Sequence, residues 1–296
     1  MKTPDSSSQQ CAALRRHLAV SLRESWRRYR KKLRSCQRHF SEESVHAFRV
    51  ETRRLQSLLD LLGAFVSARD LDKARRLLKK NLEVFADLRD TQVQLAWVRS
   101  LRRSDPALEP FHAHLQRRER RLIKSTASSV KAFKTARLKK CVTGLKKKLA
   151  ATCEAPEKRS RCRQAVSQVV AQAFERVMKL RRRIDGADPA TIHRTRVAFK
   201  KFRYMVESLQ PALPLMSAAQ CRRMRDYQAM MGEIHDLEVL AAHLDKLVAK
   251  GKLAAAPLRA FRKSLARRQA MQISAYLRST EQLDTFRPRF RFENRS

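Results

Sequence analysis

Apolar residues recur every three to four positions along nearly the whole chain, the spacing that gathers them on one face of an α-helix. Residues 11–38 carry Leu14, Leu18, Leu22, Trp26 and Leu33 on such a stripe and predict a first helix. A second begins after Ser41, a hydroxyl N-cap followed by Glu42 and Glu43, and runs to about Gly63. A third covers about 68–86, bends near Arg89-Asp90 and continues to about 103, where Ser104-Asp105-Pro106 breaks it. Helices at about 107–135 and 137–150 follow, up to a break around Pro156. In the second half a helix spans about 160–183. Asp188-Pro189 then gives an N-cap and a proline at N1 for a helix that ends near Leu209, ahead of Pro211 and Pro214. Helices at about 217–231, 234–250 and 254–279 complete the set. No strand is predicted, so the fold class is all-α. Residues 1–9 read as a disordered N-terminus, and 281–296 as a loose basic tail.

The second half repeats the first. Segment 45–62 (VHAFRVETRRLQSLLDLL) aligns with 192–209 (IHRTRVAFKKFRYMVESL) at an offset of 147, with His46/His193, Arg49/Arg196, Val50/Val197 and Leu62/Leu209 identical. Conservative pairs include Arg53/Lys200, Arg54/Lys201 and Asp60/Glu207. The same offset pairs Arg75-Arg76-Leu77 with Arg222-Arg223-Met224, and one residue less pairs Leu88-Arg89-Asp90 with Ile234-His235-Asp236. Two copies of one helical unit, at about 10–150 and 160–280, account for this. Each is expected to form a four-helix bundle related to the other by pseudo-symmetry.

Charge changes the picture most. Lys and Arg number 67 against 28 Asp and Glu, a net charge of +39 in 296 residues. A hydrophobic fraction of 43% is near the globular average, so the excess is carried by a folded chain whose partner is a polyanion. No run approaches the roughly 18 apolar residues a membrane-spanning helix needs, and MKTPDSSSQQC is no secretory signal. The six cysteines form no C-x-x-C pair, so a cytoplasmic protein with free thiols is expected.

On a helical wheel with His46 at zero, Arg49 falls at about −60°, Arg53 at about −20° and Asp60 at about −40°, opposite Phe48, Leu55, Leu58, Leu59 and Leu62. The second copy places His193, Arg196, Lys200 and Glu207 opposite Phe202, Met205, Val206 and Leu209. In one copy a basic face is simplest read as solvated. Two copies with His, Arg, a second cation and a carboxylate at matched angles point to a shared ligand. Metal binding does not fit, because His46 and Asp60 stand about 21 Å apart along one helix and no His-x-x-x-His occurs nearby. Nucleophilic catalysis lacks an identifiable orienting group. Phosphate needs only cationic forks at one-turn spacing.

VHAFRVETRRLQSLLDLL and IHRTRVAFKKFRYMVESL each resemble the signature helix of CHAD domains, the conserved-histidine α-helical domains. EVFADLRDTQVQLAWV and AMMGEIHDLEVLAAHL are similar to the family's second signature, an Arg/His-Asp step after a small residue, here Ala86 and Gly232. The resemblance covers about residues 10–280. It implies two pseudo-symmetric four-helix bundles with a basic channel between them. It also implies binding of inorganic polyphosphate and, in some members, association with polyphosphate granules. Carried over by position, the phosphate-facing residues are His46, Arg49, Arg53 and Arg54, with His193, Arg196, Lys200 and Lys201 in the second copy. Arg75, Arg76, Arg222 and Arg223 join them on repeat position and charge. The E-x-E-x-K signature of the triphosphate-tunnel domains that precede many CHAD domains is missing, so a stand-alone, non-catalytic module without a cofactor is expected.

Nucleic acid is the competing partner. Aromatics make up 6% of the chain, too few for an evident stacking platform. Trp26 and Phe48 lie on apolar stripes, and Tyr204 is the one aromatic beside the second basic stripe. Segment 117–148, however, holds 13 Lys and Arg with one acid, Glu119. Such a helix is a solvated face, a second anion surface, or a sequence-nonspecific grip on a DNA or RNA backbone.

Overall fold

The computed structural model describes residues 6–66, 69–151, 162–213 and 215–289. Ten α-helices follow in order: α1 (Ser6–His39), α2 (Glu42–Leu62), α3 (Arg69–Val84), α4 (Ala86–Leu101), α5 (Glu109–Lys131), α6 (Thr135–Ala151), α7 (Cys162–Arg181), α8 (Pro189–Leu209), α9 (Ala218–Ala249) and α10 (Arg259–Arg278). Short 3-10 segments cover Pro106–Leu108 and Thr280–Phe286. No strand occurs among the described residues, and the fold is all-α.

The caps are those the sequence announces. Ser41 accepts from the Ser44 amide at the start of α2, and Asp188 accepts from Ala190 ahead of Pro189 in α8. Two breaks fall elsewhere than expected. The bend before Arg89-Asp90 is a true interruption at Phe85, whose ring is fully buried and meets Phe48 at 4.9 Å between centroids. Its repeat partner Met231 stays inside α9, which runs unbroken through Gly232 from the capping box of Ser217 and Gln220.

Both ends also differ from expectation. Residues 6–9 of the segment read as disordered belong to α1, and residues 1–5 lie outside the described chain. Residues 281–289 of the expected loose tail are docked. Leu283 and Phe286 are buried, and Phe286 packs against Phe199 and Tyr227 at 5.6 and 5.8 Å. Two apolar side chains three residues apart on a 3-10 turn outweigh the basic composition around them. Residues 290–296 are not described. Of the thiols, Cys36, Cys141 and Cys221 are free, whereas Cys11 is disulfide-bonded, which corrects the expectation of free thiols throughout.

The buried residues are shared between the repeats. One large core runs from α1, α2, α3 and α6 into α7, α8 and the first half of α9. A smaller one joins Leu95 and Val98 of α4 and Phe111 and Leu115 of α5 to Leu240 and Leu244 of α9 and Phe261 and Leu265 of α10. The helix α2 packs on α8, so the two signature helices lie side by side, and Arg53 and Asp60 of one and His193, Lys200 and Lys201 of the other line one cavity.

Candidate anion-binding site

Between α2 and α3 on one side and α7 and α8 on the other opens a cavity of about 1080 Å³. Its cations are Arg53, Arg75, Arg76, Lys79, Arg176, Arg194, Lys200 and Lys201, with His193, against Asp60 and Asp72. The wheel explains this wall: Phe48, Leu55, Leu59, Phe199 and Phe202 are fully buried, which forces the opposite stripes of α2 and α8 toward the opening.

Arg53 and Lys200 on the cavity wall are joined by Arg196 and Arg49, which are near them but are not among the lining residues. Arg53, Arg196 and Lys200 are half-buried and act electrostatically on one another across the helix pair, with Arg49 close enough to act on Lys200. Arg53 and Lys200 make no ion pair and no hydrogen bond among the described residues. Burial, then Arg196, Arg53, Arg203 and Arg49, push Lys200 down to about 6, so at neutral pH its amine is largely uncharged. Burial and Arg53 push Arg49 down to about 10. His193 is lowered by burial and Arg196. Its ring sits 4.0 Å from that of His235, which burial, His193 and Arg196 push down to about 4. His46 lies at the exposed edge, lowered by burial and by Arg89 and Lys200.

Four charged or polar groups in this cluster come from the second signature. Asp90 of α4 stands by Arg49 and Asp236 of α9 by Arg196, each raised by burial and drawn back by its arginine. Arg89 acts on both aspartates, and the His235 ring lies against that of His193 at a tilt of 42°. These residues were legible as a motif but were not assigned to the site, because only the packing of α4 and α9 beside α2 and α8 brings them there. Tyr204 is buried at the cavity wall, with the Arg203 guanidinium 4.6 Å and that of Arg54 5.7 Å from its ring.

The remaining sequence candidates divide. Arg54 pairs with Glu51 at 2.9 Å. Arg75 and Lys201 both hold Asp60, at 2.8 and 2.7 Å, and Arg75 also reaches Asp72 at 3.3 Å, so their charges are partly offset by carboxylates at the cavity wall. Arg76 lines the cavity and is exposed. Arg222 and Arg223 are exposed on α9 and are not part of the cavity wall. Arg49 donates to the Leu82 carbonyl at 2.8 Å, in the last turn of α3, where that carbonyl also accepts from the Phe85 amide at 3.3 Å, so it supports the fold as well as the cluster.

The CHAD domain family model matches residues 12–245. The chain belongs to the CHAD domain family. Two solved structures share the fold of this CHAD domain. The CHAD domain from the plant Ricinus communis superposes with a TM-score of 0.71 at 22% identity, over 94% of each chain. PptA from Streptomyces chartreusis gives a TM-score of 0.63 at 16% identity, over 92% of this chain and 99% of that one. No curated protein matches. In this CHAD domain, no group of three or more His, Cys, Asp or Glu is placed to hold a metal ion among the described residues, and no described helix is long and apolar enough to cross a membrane.

Proposed function

We propose that this protein binds inorganic polyphosphate, without turning it over, as one linear chain held by α2 and α8 together. The observation that carries the reading is the set of Arg53, Arg196 and Lys200, contributed by both repeats, half-buried and in no ion pair among the described residues, with Asp90 and Asp236 near by but too few to balance them and Arg49 and Arg89. Gathering like charges and desolvating them costs stability, and an anionic ligand is what recovers it. Arg196 Nε and His193 Nδ1 are buried without hydrogen-bond partners, an unmet polar cost beside Arg53 and Lys200 at the cavity wall that a nearby anion would ease. The cavity offers no aromatic stack on which bases could lie, since Tyr204 is buried and covered by arginines. Polyphosphate has charge and no base, which matches such a wall. In the cell this grip would carry the protein to polyphosphate granules.

The test is a competition at physiological salt. Labelled polyphosphate is bound first, and duplex DNA or structured RNA is titrated in at equal phosphate concentration. Polyphosphate is expected to stay bound against an excess of both. Displacement at parity would mean that the +39 charge acts as an undiscriminating polyanion trap, with the nucleic-acid reading in its place.

A second expectation concerns how α9 reaches the site. A Cβ built on Gly232 would lie 3.5 Å from one terminal nitrogen of Arg196 and 3.6 Å from its Nε, ordinary contact distances. Gly232→Ala is therefore expected to bind polyphosphate within about twofold of wild type, as Ala86 at the matching position suggests. Gly232→Leu is expected to push the guanidinium aside and weaken binding by about tenfold or more. Isothermal titration of both variants checks the pair.

A further inference from the structure

We propose that the outward face of α5, joined by the turn after α9, is a second anchoring site that grips the length of polyphosphate emerging from the cavity. The inference rests on the polyphosphate reading and adds to it a preference for long chains.

Arg117, Arg120, Arg121 and Lys124 stand at helical spacings of three, four and seven, so they share one face. That face is opposite the buried residues Phe111, Leu115, Thr126 and Val130. The four cations alone line a hollow of about 440 Å³. None is neutralised by a carboxylate among the described residues, and the only acid of the segment, Glu119, turns inward, where its carboxylate accepts from Gln92 at 3.2 Å. A second element contributes. Lys252, in the turn after α9, lies near enough to act on His114 of α5 together with Arg117, Arg121 and Arg118. The patch is thus built by two parts of the fold.

Continuity ties this patch to the cavity. Arg118 Nε donates to Thr91 Oγ1 at 3.1 Å, and Thr91 follows Asp90. Asp90 feels Arg49 on one side and Arg118 on the other. A run of arginines set around Asp90 and Asp236, namely Arg196, Arg49, Arg89 and Arg118, therefore leads from Arg53 and Lys200 at the cavity wall toward α5, whose outer face runs about 10 Å from Arg117 to Lys124. A flexible polyanion already held at one end meets a second cationic site at high effective concentration, so each added contact lowers the dissociation constant without a separate encounter.

The experiment compares tripolyphosphate with long-chain polyphosphate on the full-length protein at one salt concentration. One variant carries Arg117→Gln, Arg120→Gln, Arg121→Gln and Lys124→Gln. A control removes four exposed cations elsewhere, Lys31→Gln, Lys32→Gln, Arg259→Gln and Lys263→Gln. The α5 variant is expected to lose about tenfold or more in affinity for the long chain and to bind tripolyphosphate as wild type does. The control is expected to lose little with either. A long-chain loss no greater than the control's overturns the proposal, as does an equal loss for both lengths. Lost binding of duplex DNA with long-chain binding intact overturns it too, and makes the face a nucleic-acid surface. If the wild type binds neither length, it is the polyphosphate reading itself that falls.

Discussion

Replacing Arg53 and Arg196 together by glutamate is expected to weaken polyphosphate binding by about a thousandfold, while either change alone costs about tenfold to a hundredfold. Each guanidinium is worth about 1.5–3 kcal/mol as a charge-assisted contact, and the two stand on different helices of different repeats. If one chain lies across both, the contacts add. If each repeat held its own ligand, the double variant would show two independent sites, each weakened only by its own substitution. Arg49 is the poorer choice despite its place in the signature, because its hydrogen bond to the Leu82 carbonyl supports the end of α3. Arg53 has no such bond, and its removal relieves repulsion among half-buried cations. Arg53→Gln alone should therefore keep or raise the melting temperature while losing affinity, which separates lost contacts from lost folding; in the double variant Asp236 also loses the arginine beside it, so its affinity is read on folded protein. The slope of log affinity against log salt should also flatten by about two, one for each cation. A loss no larger than that of charge reversal at two exposed arginines, Arg259 and Arg267, would sink the idea of one chain held by both helices.

The helices were legible because the signals are local. Period, caps and prolines place α2 and α8 almost to the residue, and the repeat makes each a check on the other. The break at Phe85 was not, since no proline or glycine stands there; the chain turns because the Phe85 ring fits the pocket made with Phe40 and Phe48. Gly232 misled in the opposite sense. A mid-helix glycine costs only about 1 kcal/mol, which packing repays, and its missing side chain leaves room for Arg196. The docked tail had a signal in the spacing of Leu283 and Phe286, hidden by the arginines that follow. In the site, the wheel identified which residues face out of each helix. It could not show that Asp60 would be shared by Arg75 from α3 and Lys201 from α8, because that depends on how separate helices meet. Arg89 and His235 enter for the same reason.

Lys200 should be the most revealing single position, because it is expected to trade stability for binding. Its amine faces Arg196, Arg53, Arg203 and Arg49, with His193 on its own helix and no carboxylate in contact. Its proton is held with a pKa of about 6 in the folded protein against 10.5 in a free side chain. Between those values the unfolded chain binds more protons than the folded one, so stability of the free protein rises with pH through that window and is penalised below it. Lys200→Met removes the charge that must be desolvated, keeping much of the apolar stem. It should raise the melting temperature at pH 7 by at least about 2–4 °C, the shift expected for about 1 kcal/mol in a protein of this size, and flatten its dependence on pH. Binding runs the other way. Phosphate beside the amine restores the charged form, so the wild type takes up a proton as it binds and its affinity falls as pH rises above about 7. His46, His193 and His235 also gain protons beside an anion, but they contribute mainly below that range, since each starts under its ordinary value. Titrations between pH 7.5 and 9, in buffers of different ionisation enthalpy, should show proton uptake in the wild type and almost none in Lys200→Met, which should also bind about tenfold or more weakly. A variant that binds as tightly as the wild type with the same pH slope would place the polyanion away from Lys200. A variant less stable than the wild type at pH 7 would mean that the amine is already charged and paired in the free protein.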